Sequence, residues 1–316
     1  MKIIRAGFEL LPRNEERGNL NVIELAGRTC YKSEDKIAEG SSEKFAKGIM
    51  AHGHEAMMEH GDMIFQVDDP HIIDNVSEGL QMLKDRGLGC PMLEMTRRNG
   101  KRRCIVSGNI RAWRELFATS SLAGAYFIGH FDPLYVKGFK FFDEDVPPDE
   151  RVHQIRYADL KDYGEKLAHH RETVRFTIDR GISHEFVRHR VFSFAQESTR
   201  YCNYSKGKFG SELTFIEPCY LGEGTKAYEF WERACVLAED KYFELLEYGL
   251  QPQEARAVLP NSVKTELVMT GNLRAWMHFF NLRARQLSGK AHPQAVEVAY
   301  PLYELFKVLH PDIFSD

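Results

Sequence analysis

Apolar and polar residues alternate over several short stretches of this chain and recur every three to four residues over others. Residues 2–10 are apolar-rich and predict a strand, as does Met63-Ile64-Phe65-Gln66-Val67. Val174, Phe176 and Ile178 alternate with Arg175 and Thr177, and Thr265, Leu267 and Met269 repeat that two-residue period, which predicts two more strands. Helical spacing links Ile23, Ala26, Gly27 and Cys30 behind Asn21-Val22-Ile23-Glu24, a pattern resembling a capping box. A second helix starts at Ser41 or Ser42, buries Phe45 and Ile49, and runs into His52-Gly53-His54-Glu55, where Gly53 weakens it. Gly181 turns the chain and Ser183 is the expected cap of a short helix carrying Arg188. Residues 225–248 form the clearest helix, with Tyr228, Trp231, Cys235, Ala238, Tyr242 and Leu245 as its apolar stripe and Gly249 at its end. Pro252 opens another helix and Pro260 follows it. Asn272 caps a helix on which Arg274 and His278 share a face at i, i+4.

One stretch is echoed. Ser107-Gly108-Asn109-Ile110-Arg111-Ala112-Trp113, with Phe117, resembles Thr270-Gly271-Asn272-Leu273-Arg274-Ala275-Trp276, with Phe280. Convergent use of a strand, turn and Asn-capped helix explains the echo, and so does duplication of part of the domain.

The chain has 316 residues, 43% of them hydrophobic, enough for a substantial core. A net charge of −4 argues against a surface given over to nucleic acid, so positive charge is local and suits a small anionic ligand. The N-terminal residues lack signal-peptide anatomy and no apolar run reaches membrane-spanning length. Six scattered cysteines without a Cys-x-x-Cys pair predict a reduced, cytoplasmic setting.

The densest chemistry runs from Arg188 to Arg200: Arg188-His189-Arg190-Val191-Phe192-Ser193-Phe194-Ala195-Gln196-Glu197-Ser198-Thr199-Arg200. Guanidiniums, an imidazole, a hydroxyl and an amide so close together make an anion site with planar donors. A solvated basic face is the alternative. Phe186, Val187, Val191 and Phe194 interleave with the arginines and place them at the edge of a core. The pattern Arg-His-Arg-x7-Ser resembles the signature of the flavin-dependent thymidylate synthases, and Ser183-His184-Glu185-Phe186-Val187 before it and Arg200-Tyr201-Cys202-Asn203-Tyr204-Ser205 after it agree. The resemblance covers roughly residues 20–67 and 173–310.

The resemblance implies one α+β domain over residues 1–316, with a mixed or antiparallel sheet and flanking helices. Compact relatives have only a short connection at about 68–172, which makes that segment an insertion. Within it, residues 97–103 are strongly basic, either a solvated turn or a contact to phosphate or nucleic acid, and Glu144, Asp145, Pro147, Pro148 and Asp149 mark an exposed loop. The family converts dUMP to dTMP with methylenetetrahydrofolate as carbon donor, NADPH as reductant and FAD as hydride carrier, in homotetramers with active sites at subunit junctions. By resemblance, Glu185, Phe186, Val187, Arg188, Gln196, Glu197, Ser198, Thr199, Arg200 and Arg256 bind dUMP, with Ser198 and Arg200 at its phosphate. His54, Ala56, Glu59, Arg188, His189, Arg190, Gln196, Asn272, Leu273, Arg274 and His278 meet FAD, and free backbone N–H groups at the Asn272 helix start suit an anion. Arg283 matches the arginine that polarises uracil, a role that requires a donor where negative charge develops. His292 recurs near this site in relatives without an assigned role.

The chain departs from one common form of the motif. Glu185 stands where compact relatives often carry Gln, Ala195-Gln196 replaces Asn-Glu, His278 replaces Asn, and Ala56 lacks a hydroxyl, so any FAD contact there is through backbone. No metal is expected: His52, His54, Glu59 and His60 lack a tight zinc-like spacing. Membrane and nucleic-acid partners are not expected either. The rival readings are a flavoprotein that oxidises NADPH without methyl transfer and a non-enzymatic nucleic-acid binder.

Overall fold

The computed structural model describes residues 1–85, 93–97, 103–136, 139, 146–205 and 210–315. Most of the basic run at 97–103, together with Glu144, Asp145 and Cys90, lies outside the described residues. The strands are β1 (Lys2–Ile4), β2 (Gly7–Leu10), β3 (Asp62–Val67), β4 (Leu93–Arg97), β5 (Cys104–Asn109), β6 (Val152–Gln154), β7 (Arg171–Asp179), β8 (Ser193–Gln196), β9 (Thr214–Ile216) and β10 (Lys264–Asn272). They form two four-stranded antiparallel sheets, ordered β4-β5-β3-β6 and β8-β10-β7-β2, and a parallel pair, β1-β9. Helices flank both sheets, so the fold is α+β.

The period-two runs at 63–67, 174–178 and 265–269 are all strands, and the long helix is Lys226–Glu247. Three local expectations need correction. Residues 2–10 are two strands rather than one, because β1 pairs with β9 while β2 crosses to β7. The first long helix is Asn19–Tyr31, so Asn21 lies inside it, and its amide donates back to the Arg17 carbonyl at 2.7 Å. The Glu24 carboxylate that suggested a capping box instead accepts from Arg28 and Ser41. Ser183 is not a cap: Asp179, extended at the end of β7, accepts from the Ile182 N–H at 2.8 Å, and the helix Arg180–Phe186 stops before Arg188.

Each sheet carries its own core. Phe65, Val106, Trp113, Phe117 and Phe127 pack together on the first, and Phe176, Trp276, Phe279, Phe280 and Phe306 on the second. The sequence echo extends through both. In the first sheet Asp62, the first residue of β3, pairs with Asn109; in the second Arg171, the first of β7, pairs with Asn272. Asn109 caps the helix Ile110–Thr119 through the Ala112 N–H, and Asn272 caps Leu273–Arg283 through the Ala275 N–H. Trp113 donates its indole N–H to the Met63 carbonyl, and Trp276 to the Glu172 carbonyl, the matching strand position.

Contacts between the sheets are reciprocal. His60, two residues before β3, bonds Thr270 of β10 at 2.8 Å; His169, two residues before β7, bonds Ser107 of β5 at 2.8 Å. Ser107 and Thr270 each stand two residues before the capping asparagine. Such an exchange is the mark of an isologous, two-fold-like interface, here within one chain. Residues 13–15 bind both sheets: Arg13 pairs with Glu172, Asn14 donates to Asp62, and Glu15 accepts from the Tyr157 N–H. The segment 68–172 closes no sheet of its own, since β3, which precedes it, is the partner of both β5 and β6.

Candidate active site

β7, β8 and β10 build the platform. After the short helix Arg180–Phe186 the chain turns through Arg188-His189-Arg190 and enters β8, which pairs with β10 from Ser193↔Thr270 to Gln196↔Leu267. Phe186 and Phe192 are buried in the core on either side of the turn. Arg188 and Arg190 are exposed, with no ion pair among the described residues. The arginines therefore stand at the rim of a core, while Val191 is itself exposed.

Arg283 ends the helix Leu273–Arg283 and points back to this turn. Its Nη1 donates to Glu185 Oε2 at 2.5 Å, its Nη2 to the Glu185 carbonyl at 3.2 Å, and its Nε to His189 Nε2 at 3.2 Å. Burial, then the Arg283 and His278 charges, push the His189 imidazole down to about 4. It is neutral near pH 7, so Nε2 accepts from the guanidinium and the other nitrogen carries the proton. The His278 ring lies 5.8 Å from that of His189. Glu185 in place of Gln thus gives Arg283 a charged partner.

Gln196 donates to Ser183 Oγ at 2.7 Å and to Thr265 Oγ1 at 3.3 Å. Glu197 is buried and takes the Tyr204 hydroxyl at 2.9 Å and Lys264 at 2.8 Å. Lys264 and Lys32 also flank Glu266; burial alone would raise that carboxyl, and the two ammonium charges hold it at about 2. Beyond this knot, the Ser198 N–H meets the Cys30 carbonyl, the exposed Arg200 donates to Gln253, and Arg256 donates to Thr199. The structure brings Ser198, Thr199, Arg200 and Arg256 together at one end of β8. Arg283, Glu185, His189 and His278 gather where the Arg-His-Arg turn leads into β8. Phe186, Val187 and Leu273 have buried or half-buried side chains, so their polar contacts are made by backbone.

The residues assigned to flavin do not form one cluster within the chain. His54 Nδ1 meets the Tyr31 hydroxyl at 3.0 Å, Ala56 is exposed, and Glu59 accepts from Arg111 at 2.6 Å. Asn272 is committed to the fold: its oxygen caps Ala275, and its amide donates to Glu94 at 2.8 Å and to the Ala168 carbonyl at 3.0 Å. Arg274 pairs with Glu94 at 3.0 Å. The expectation of free N–H groups at this helix start is corrected in part. The Leu273 N–H already bonds the His170 carbonyl and the Ala275 N–H the Asn272 side chain.

Sequence reasoning missed Glu94, Arg111, Tyr204 and Lys264. The repeat of Arg274 at Arg111 was the one available signal; the other contacts join residues far apart in the chain. It also missed a buried cluster of His170, Glu172 and His310, whose ligand atoms lie within 4.8 Å of one another. Both imidazole Nε2 atoms face Glu172 Oε1, at 3.0 and 2.9 Å, and Arg13 bonds the same oxygen. Burial alone would raise this carboxyl; the two imidazole hydrogen bonds and the Arg13 charge hold it low. The arrangement is a hydrogen-bonded ion knot. Cys202 is buried among Tyr204, Phe215 and Tyr242, a poor position for a nucleophile.

The model of the thymidylate synthase complementing protein family matches residues 13–73 and 152–312 and skips those between. The flavin-dependent thymidylate synthase of Pyrococcus abyssi is 30% identical over 187 residues, spanning 58% of this chain and 72% of that protein. The one from Saccharolobus solfataricus is 34% identical over 180 residues, spanning 57% and 66%. A solved structure of the UMP/dUMP methylase PolB from Streptomyces cacaoi aligns over 98% of this chain and 94% of its own, with 18% identity and a TM-score of 0.41. With the family model covering most of its length, and with the Arg-His-Arg turn, Ser198 and Arg283 arranged around one strand pair, the chain belongs to the thymidylate synthase complementing protein family.

Proposed function

We propose that the protein is a flavin-dependent thymidylate synthase that methylates dUMP to dTMP, taking the carbon from methylenetetrahydrofolate and reducing equivalents from NADPH. The observation that carries the reading is Arg283, held by Glu185 and His189 beside an exposed Arg-His-Arg turn in a chain of this family. Arg188, Arg190 and Arg274 are the donor set a flavin dinucleotide pyrophosphate calls for, and His189 and His278 supply flat contacts. FAD, when bound, supplies hydride transfer. The chain's part is to bind, orient and polarise. Ser198, Arg200 and Arg256 would hold the nucleotide phosphate. The Arg283 guanidinium would donate to the uracil carbonyls and stabilise negative charge developing across the ring, which raises electron density at C5. Neutral His189 keeps that guanidinium oriented without competing for charge. The flavin-assigned residues, scattered as His54, Glu59 and Arg274 over separate contacts within one chain, favour a site completed by a neighbouring subunit, in keeping with a homotetramer.

The test is dTMP formation from dUMP with methylenetetrahydrofolate and NADPH present, alongside the visible absorbance of the purified protein. A yellow protein that consumes NADPH without making dTMP would leave only a flavin oxidase. A colourless one would remove the flavin assignment.

A further inference from the structure

One described cleft is lined, apart from His54, by residues not assigned to nucleotide or flavin. It opens between the helices Asn19–Tyr31 and Ser41–Ala51, with a volume of about 610 Å³, which is within the range of small-molecule sites. Its lining includes Arg28, Lys36 and Lys44, the aromatic rings of Tyr31 and Phe45 and, among the described residues, no acidic one. The chain as a whole is net negative, so this concentration of cations is local. Arg28 is taken: it pairs with Glu24 and lies over the Phe45 ring at 4.8 Å. Lys36 and Lys44 are exposed and have no ion pair among the described residues. The cleft borders the nucleotide segment at Tyr31. Tyr31 touches His54, and its ring lies 5.5 Å from that of Tyr201, next to Arg200.

The geometry points to this cleft as the subsite for the anionic tail of the folate co-substrate. A flat heteroaromatic body placed against Tyr31 and His54 would send its tail outward between the two helices, past Phe45 to the lysines. Lys36 and Lys44 stand on separate elements as single point charges, which suits carboxylates spaced along a flexible oligo-γ-glutamyl chain. A phosphate group would instead call for convergent, forked donors. The inference rests on the proposed function, since it takes the protein to bind a reduced folate.

Equilibrium binding to the flavin-loaded protein tests it. Tetrahydrofolate carrying one glutamate is compared with tetrahydrofolate carrying five, and NADPH is titrated separately. The pentaglutamate should bind roughly fivefold to tenfold more tightly than the monoglutamate at low salt, the size expected of two exposed ion pairs. The advantage should shrink as salt rises. Lys36→Ala/Lys44→Ala should abolish it and leave monoglutamate and NADPH affinities unchanged. Lys47→Ala, an exposed lysine on the same helix that pairs with Glu43, should preserve it. Equal binding of the two folates by the wild type, or an advantage that survives the double substitution, overturns the assignment. So does a double variant that weakens NADPH instead, since the cleft would then serve a phosphate. Failure to bind either folate would defeat the proposed function itself, a result distinct from equal binding of both.

Discussion

The two antiparallel sheets share a register, a capping asparagine, a buried tryptophan and reciprocal histidine contacts, yet only the second carries the exposed Arg-His-Arg turn and the Arg283–Glu185 pair. The helix after the first strand of each pair begins at an aspartate that accepts backbone N–H groups, Asp69 or Asp179. After Asp69 it runs for 16 residues, Pro70–Asp85; after Asp179 it runs for 7 and stops at Phe186. The early stop lifts Arg188 and Arg190 to the surface and turns His189 inward. At the end of the Asn-capped helix, the position matching Arg283 by the offset between Asn109 and Asn272 is Ser120, and that matching His278 is Glu115. The sheet and its caps are thus common scaffold, and a shortened helix and a few charged side chains distinguish the second sheet from the first.

That contrast can be broken at the ion knot first. Glu172 is fully buried and holds Arg13, His170 and His310, whereas its counterpart in the first sheet is the apolar Met63. Glu172→Ala strands the partner charge and should lower unfolding free energy by about 3–5 kcal/mol in urea titrations. Met63→Leu at the matched position should cost under ~1.5 kcal/mol. Similar small losses at both positions would mean that the knot does not join the sheets.

The next contrast is kinetic. Arg283→Ala should lower the rate of dTMP formation roughly a hundredfold or more, the usual effect of losing a donor where charge develops. FAD should remain bound, and Ser120→Ala at the matched position should leave the rate unchanged. Cys202→Ala should retain most activity because its side chain is buried in an apolar cluster. An active Arg283→Ala beside an inactive, folded Cys202→Ala would reverse the assignment.

Acid should act on the reciprocal histidines. Burial pushes His60 to about 4 and, with nearby arginines adding to it, His169 to about 3, both below the ordinary 6.5. Each is neutral in the fold and takes up a proton on unfolding below about pH 6.5. Stability is therefore full above that pH and is lost as pH falls towards 4 and 3. Urea midpoints at pH 7.5, 6.0 and 4.5 should decline in that order, and a flat profile would show that these contacts are not coupled to protonation.

The smallest expected effect concerns Glu94, a first-sheet residue paired with Arg274 of the second. Its carboxylate competes with any phosphate for that guanidinium. Glu94→Gln should tighten FAD binding a few-fold, within the range of a partly exposed ion pair. Unchanged affinity in both Glu94→Gln and Arg274→Ala would separate this end of the second sheet from the flavin.

Local pattern was enough for β3, β7 and β10, for the long helix Lys226–Glu247 and for the cap at Asn272, because each depends on side-chain period or on an oxygen reaching an N–H three residues away. The Arg188–Arg200 motif stood out because guanidiniums and hydroxyls at close spacing have few uses, whereas Arg283 was singled out only through the family resemblance. What lay beyond reach was long-range pairing. Nothing near residue 94 announces that its carboxylate meets Arg274, 180 residues on, and nothing near Glu185 announces its bond to Arg283. The echo at Asn109 hinted at a repeat, but the matching strand registers and the exchange between His60 and His169 exist only once the sheets face each other. Those contacts bury polar groups that must find partners wherever the packing brings them, and which groups meet is decided by the assembled layers rather than by neighbours in the chain.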